Sequence, residues 1–490
     1  MGIFDKFIRK KKEGAQELQE SASTIKTEIS DVQANDLALA EAIYKDCPYW
    51  LNATTPAMLS SGFGALIAAE IARLITIESK VTLDSDEELN SVLQRYVMQN
   101  IRQIVEIGWA LGGAVFKPYF SDAIIQVDAN GMVKKLDGKM KIVFMYPSQF
   151  KIHKFDRAGE ITAISFYTTE YLDYKYYTLQ EFQYFDEKTN SLTITNTIYR
   201  SNNKPNVYKW DNLGSDMIPL ESFYKWSNLL PKIVFSNVKA TLIGYYKPAI
   251  ANNAEITNPC GVSGLSRAKN VLYRIDKISN ALDWEMEASL SRLYVDEIAL
   301  NESPKNQVPQ NLNRFLVKML NTTGDGAGMF ETFSPKIRDE SYINVLNTWL
   351  RLLEDTVGLS HGTVSNVDFT TKTATEIATS RQRTYSTILD NQQSLEVALK
   401  QLGYAMTVWK NPLTVVDSIS MTFDFDDGTL SNPAEQVSIM LQLQASGNIP
   451  KYKVNMTYFN INAEDAQKLV LEARGELYSE AEDDSEKEFE

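Results

Sequence analysis

Histidine and cysteine are scarce in this chain of 490 residues, which holds two of each. His153 and His361 leave too few imidazoles for zinc chemistry, and no metal site is predicted. Cys47 and Cys260 offer no disulfide framework, which fits a reducing compartment. Basic charge is short as well. Lys and Arg number 49 against 63 Asp and Glu, leaving a formal charge of −14. That balance argues against a protein that grips nucleic acid by neutralising phosphates, which needs a basic face. Long apolar runs are missing too: the longest, Phe63 to Ile77, is broken by Glu70 and Arg73, so no membrane span is predicted. The N-terminus lacks an apolar core of signal-peptide length, and Lys6 stands where a myristoylation motif carries Ser or Thr. These absences predict a soluble, cytoplasmic protein with no membrane partner.

What is present is ordinary globular composition, 44% apolar and 23% charged, with room for about two to four domains. The most conspicuous stretch runs from Leu265 to Asp296 without proline or glycine, after Gly261 and Gly264, with Ser263 and Ser266 as N-cap oxygens. Leu265, Ala268, Leu272, Ile275, Leu282, Met286 and Leu293 recur at three- and four-residue steps and predict one long helix. At about 1.5 Å per residue it would span nearly 50 Å, the length of a rod that bridges bodies or packs beside its own copies. A second helix is predicted over Lys336 to Val357, with Ile343, Leu346, Trp349, Leu350 and Leu353 on one face. Between the two lie Pro304, Pro309, two short strands at Arg314–Met319 and Met329–Phe333, and the cluster Asn321–Gly328. The chain thus leaves along one rod, makes a short excursion and returns along another.

Upstream, residues 1–14 set Phe4, Phe7 and Ile8 against Lys6, Arg9 and Lys10–Lys12. A frayed helical arm is the plain reading; contact with a membrane or an acidic partner is the alternative. Helices are predicted over Pro56–Glu78 and Glu87–Gly108, the latter capped by Asp84 or Ser85. Residues 122–240 read as strands, with a hairpin turn at Asn130-Gly131 and a second long hairpin over Tyr176–Arg200. Tyrosines at 171, 174, 176, 177, 184 and 199 suit pleated, half-exposed positions, and a base-stacking platform would interleave them with more Arg and Lys. Downstream, Thr373 and Glu376 form a capping box opening a helix to Trp409, and Pro412 ends it. A strand over Val415–Phe425, a helix from Asn432 to Gly447 and a last helix from Asn462 to Tyr478 follow. From Glu480 the tail carries seven acidic residues in eleven and is expected to be disordered.

Three motifs invite chemistry. Gly358-Leu359-Ser360-His361-Gly362 matches G-x-S-x-G, but a helix precedes it where a nucleophile elbow needs a strand. A helix C-cap glycine followed by a serine loop accounts for it better, so a serine hydrolase using Ser360 is a remote alternative. Asp424, Asp426, Asp427 and Gly428 are similar to a calcium loop, yet the glycine comes one position early and a strand precedes it. Gly324–Gly328 lacks the ending and frame of a phosphate-binding loop. No catalytic residue, cofactor or nucleotide machinery is predicted.

The order of motifs along the chain resembles the portal, or head-to-tail connector, proteins of tailed bacteriophages and prophages. The matching residues are Met1–Phe7, Leu111–Tyr119 (LGGAVFKPY), Gly261–Ala268 (GVSGLSRA), Val357–Ser360 and Lys372–Ile377. The resemblance implies an α+β portal fold with wing, stem, clip and crown, in a ring of about twelve subunits around a channel at one capsid vertex. It implies an N-terminal arm over 1–45, a wing over 46–262, stem helices over 263–297 and 337–358, and a clip over 298–336. A tunnel loop over 359–373, a long wing helix over 374–410, a crown over 411–478 and the tail over 479–490 complete it. In that scheme Asp368, Phe369, Thr370, Thr371 and Lys372 face double-stranded DNA. Lys305, Asn306, Asn311, Asn313 and Arg314 of the clip dock partners. Those partners are the terminase large subunit and later head-completion or adaptor proteins, with major capsid and scaffolding proteins at the wing. The implied location is the virion's portal vertex, with the host cytoplasm during assembly. A non-ring capsid-associated adaptor is the other alternative.

Overall fold

Ser30 opens the first helix: its Oγ accepts from the Gln33 backbone N–H at 3.3 Å and caps α1 (Asp31–Tyr44). The computed structural model describes residues 30–53, 57–77, 79–211, 213–214, 216–256, 258–296, 316–319, 330–366, 374–425, 433–447, 449–459 and 463–474. The chain forms two compact units, residues 1–424 and 425–490, and mixes helix with sheet as an α+β protein.

In the first unit α2 (Phe63–Thr76) buries Ile67, Ala68, Ile71, Ala72 and Ile75. It starts later than Pro56 because Gly62 sits in the left-handed region, φ 73°, which a helix cannot incorporate. β1 (Lys80–Leu83) follows. The predicted helix from Glu87 to Gly108 is two helices, α3 (Glu87–Tyr96) and α4 (Ile101–Leu111), separated by a 3₁₀ turn at Met98–Asn100. The cause is local: the Asn100 side chain donates to the Tyr96 carbonyl at 3.1 Å and takes it from the backbone ladder. The cap of α3 is Asp86, which accepts from Leu89 N–H at 3.1 Å, one or two residues beyond the expected Asp84 or Ser85.

β2 (Ala114–Val127) and β3 (Val133–Met145) form the predicted hairpin, with Asp128 Oδ1 accepting from the N–H groups of Asn130 and Met132 to shape its turn. Next come β4 (Phe150–Phe155), β5 (Ile161–Leu172), β6 (Lys175–Asp186), β7 (Ser191–Ser201), β8 (Asp216–Ile218) and β9 (Lys232–Ser236). They make an antiparallel six-stranded sheet ordered β4-β5-β6-β7-β8, with β9 also paired to β7. β10 (Gly244–Tyr246) adds to β2 as a third strand of the first sheet.

The long rod is shorter than its sequence suggests. α5 spans Lys269–Ala288, and Arg292–Asp296 is a strand, β11, flanked in one sheet by β12 (Leu316–Met319) and β13 (Phe330–Phe333). Apolar spacing continues through Leu293, but pairing with strands far along the chain overrides the local helical preference. At the other end residues 265–268 are turns, and Ala268, with no capping side chain, occupies the N-cap where Ser263 and Ser266 were expected. α6 (Asp339–Val357) returns beside α5, followed by α7 (Ala374–Lys410) and β14 (Met421–Asp424), which pairs with β1. The strand predicted from Val415 is thus confined to its last residues.

Among the clusters of buried side chains, two join the sheets to one another and to α7. One joins Leu192, Ile194, Ile233 and Phe235 of the sheet to Ala405, Val408 and Trp409 of α7. The other gathers Val115, Met145, Phe150, Ile164, Phe166 and Ile243 between the two sheets. The far end of α7 is tied down by Lys410, whose Nζ donates to Asp86 Oδ2 at 2.7 Å and Glu88 Oε2 at 2.6 Å. The second unit contains α8 (Pro433–Ala445), α9 (Lys451–Phe459), absent from the sequence-based expectation, and α10 (Ala463–Arg474). Among the described residues, no helix is long and apolar enough to cross a membrane.

Candidate functional site

Two of the motifs that carry the resemblance, LGGAVFKPY and GVSGLSRA, are far apart in sequence and meet at one joint, and a third, Val357–Ser360, stands at a second. At the first, the segment after α4 lies against residues 261–265. Gly264 N–H donates to the Trp109 carbonyl at 2.9 Å, and Leu265 N–H donates to Ser263 Oγ at 3.0 Å. A β-carbon on Gly264 would overlap the fully buried Trp109 ring, so only glycine lets these backbones approach. Tyr245 Oη accepts from Gly261 N–H at 2.9 Å and ties β10 into the same joint. This joint launches α5.

α5 is then held along one side by polar contacts, the Asp276 contact to Trp50 being buried. Asp276, on its inner stripe and 5% exposed, accepts from Trp50 Nε1 at 2.9 Å through Oδ2. Its Oδ1 accepts from Ser61 N–H at 2.8 Å and from Ser61 Oγ at 2.5 Å. One turn on, Asn280 exchanges two 2.8 Å hydrogen bonds with the backbone of Leu59. Lys269 Nζ reaches Asp36 of α1 at 2.8 Å.

α5 and α6 run antiparallel, as their cross-links require. The Arg274 guanidinium lies 4.8 Å above the Trp349 ring near one end, and Arg338 forks onto both oxygens of Glu285 at 3.0 and 2.7 Å near the other. The fork holds the Glu285 carboxyl below the usual carboxylate range. Burial is uneven along the arm. Val271, Leu272, Ile275, Leu350, Leu353 and Val357 are buried near the joint, whereas Trp284 (63% exposed), Met286, Ile343 and Val345 are open toward the β11 end. The three-stranded sheet β12-β11-β13 closes that end of the arm.

The second joint stands where α6 gives way to the non-helical residues 359–366. Gly358 ends α6 with φ 81° and donates to the Glu354 carbonyl, and a β-carbon there would collide with Thr387 of α7. Thr387 Oγ1 donates to the Gly358 carbonyl at 2.9 Å, and Ser360 N–H donates to Thr384 Oγ1 at 2.8 Å. Beyond it the Glu354 carboxylate, fully buried, receives the backbone of residues 362–365. The neighbouring Asp355 faces outward, pairing with His361 Nε2 at 3.1 Å and with Arg383 of α7.

The G-x-S-x-G motif follows the end of a helix, α6, where a nucleophile elbow needs a strand. Ser360 Oγ is 2.7 Å from Thr384 Oγ1, while His361 is engaged with Asp355. The other histidine, His153, is buried on β4 with its Nε2 2.7 Å from Ser165 Oγ. Among the described residues neither histidine is hydrogen-bonded to Ser360, and the motif follows the helix C-cap Gly358. Asp424 ends β14, and Asp426, Asp427 and Gly428 lie outside the described residues. The expected DNA-facing residues Asp368, Phe369, Thr370, Thr371 and Lys372 also lie outside them, as do Lys305, Asn306, Asn311, Asn313 and Arg314 and the capping Thr373.

Sequence reasoning passed over two buried acids, Glu354, which organises the second joint, and Asp276, which fastens the side of α5. A signal existed for both. Each occupies an inner position of an apolar stripe, Leu350-Leu353-Glu354-Val357 and Leu272-Ile275-Asp276, where an acid has no reason to be unless something donates to it. Residues 69–477 match the model of a protein family described as phage portal protein, SPP1 Gp6-like. No curated protein matches the chain.

Proposed function

The chain belongs to the family of SPP1 Gp6-like phage portal proteins, and from that premise we propose that its copies close into a ring of about twelve at one capsid vertex. The channel so formed passes double-stranded DNA during packaging and ejection. The single observation that supports this most is the antiparallel arm of α5 and α6. It is buried where it joins the sheets and carries exposed Trp284, Met286, Ile343 and Val345 further out. These side chains leave apolar surface on more than one face of the two-helix arm, and repeating the arm around an axis would cover it.

In this reading 263–297 and 337–358 are the stem, 298–336 the clip, 46–262 the wing, 374–410 the long wing helix and 411–478 the crown. Residues 359–373 form the tunnel loop, touching DNA through Asp368, Phe369, Thr370, Thr371 and Lys372 by polar and steric contact. The clip docks the terminase large subunit and later head-completion proteins through Lys305, Asn306, Asn311, Asn313 and Arg314. The wing meets capsid and scaffolding proteins, the assembly taking place in the host cytoplasm before the protein becomes part of the virion.

Mass measurement and single-particle imaging of the purified protein test the ring. Closed rings of about a dozen subunits are expected. A protein that stays monomeric at every concentration would favour a non-ring adaptor and overturn the reading.

A further inference from the structure

We propose that Glu354 is the positioning residue of the channel loop, its carboxylate fastening residues 362–365 to the end of α6. The proposal rests on the reading of 359–373 as the DNA-facing loop. Its observations are confined to the described root of that loop, residues 359–366. Glu354 is 0% exposed on a stripe otherwise made of Leu350, Leu353 and Val357. A leucine would complete that stripe at lower desolvation cost, so the carboxylate needs a compensating set of donors.

That set is complete. Oε1 accepts from the N–H groups of Val364 at 2.6 Å and Ser365 at 2.8 Å. Oε2 accepts from Ser365 Oγ at 2.8 Å and Gly362 N–H at 3.3 Å. Every group facing the carboxylate donates, so both oxygens must accept, which an amide cannot provide. The hold continues one residue further, where Asn366 N–H donates to Asn347 Oδ1 of α6 at 2.8 Å. Leu359 and Ser365 are buried at the two ends of this turn, and Gly362 N–H is shared with Ser365 Oγ at 3.1 Å. Residues 362–366 are therefore fastened to α6.

The test compares Glu354→Gln, Ser365→Ala and a deletion of residues 367–372 in the full-length protein. Three readouts are needed: ring assembly, the rate of tryptic cleavage at Lys372, and DNA packaged when the variant replaces the wild-type protein in assembling particles. Glu354→Gln is expected to leave rings intact, to raise cleavage at Lys372 by about tenfold, the equivalent of one charge-assisted hydrogen bond, and to lower packaged DNA toward the deletion's level. Ser365→Ala, which removes one donor, is expected to move both readouts the same way by less, and it carries the test if Glu354→Gln does not assemble. Wild-type cleavage rates in the assembling variants overturn the proposal. Faster cleavage with wild-type packaging, while the deletion abolishes packaging, overturns it too and leaves the loop's role intact. A deletion that packages normally removes the loop reading itself, and the proposal with it.

Discussion

His153 shows how burial, more than any partner, sets a residue's response to pH. It sits on β4 with its ring edge-on to Phe182 and its Nε2 against Ser165 Oγ, which also accepts from Gln180 Nε2 at 3.0 Å. Desolvation, with the nearby Lys151 charge, pushes its pKa down to about 3 from 6.5. The unfolded chain binds a proton here below about pH 6.5 and the native chain does not. The stability held above that value is therefore lost as pH falls toward 3, by up to about 1.4 kcal/mol per pH unit. Denaturant titrations at pH 7 and pH 5 are expected to show the wild type weakening by more than a His153→Gln variant. Equal losses would mean the imidazole is protonated in the native state.

At the scale of elements, the arm depends on its lateral fastening. Asp276→Ala is expected to leave Trp50 Nε1 and the Ser61 donors without partners and to cost about 1–3 kcal/mol, measured as a lowered denaturation midpoint. An unchanged midpoint would show that α5 is held by its apolar stripe alone. The hairpins were legible in sequence because strand alternation and the turn around Asn130-Gly131 agree with the long-range pairing. So were α6, whose apolar spacing and Gly358 stop coincide, and α7 up to Lys410. The end of α5 was not. Leu293 keeps the helical spacing, and what makes Arg292–Asp296 a strand is two partners that lie elsewhere in the chain. The joints were legible only as motifs. Nothing local in GVSG or LGGAVFKPY says that one packs on the other, since that follows from Trp109 filling the space Gly264 leaves.

For the whole molecule the governing quantity is charge. With a formal charge of −14, isolated subunits cannot neutralise many phosphates at once. Duplex binding at physiological salt is expected to be weaker than about 10⁻⁴ M, with a shallow dependence on salt, as read by fluorescence anisotropy. Tight binding would contradict a conduit through which DNA must slide, because each phosphate contact multiplies around a ring. The same molecule carries a constraint on its own synthesis. β1, near residue 80, finds its partner β14 only at Met421–Asp424, so the first unit is stitched shut by two of its most distant strands. At about 5–20 residues per second the ribosome needs on the order of a minute or less to deliver the second after the first. Until then β1 offers an unpaired edge to any passing strand, including the same segment on a neighbouring nascent chain. Synthesis of many copies at once, which the proposed ring would demand, thus runs against a window in which wrong pairing is open and right pairing has not yet left the ribosome.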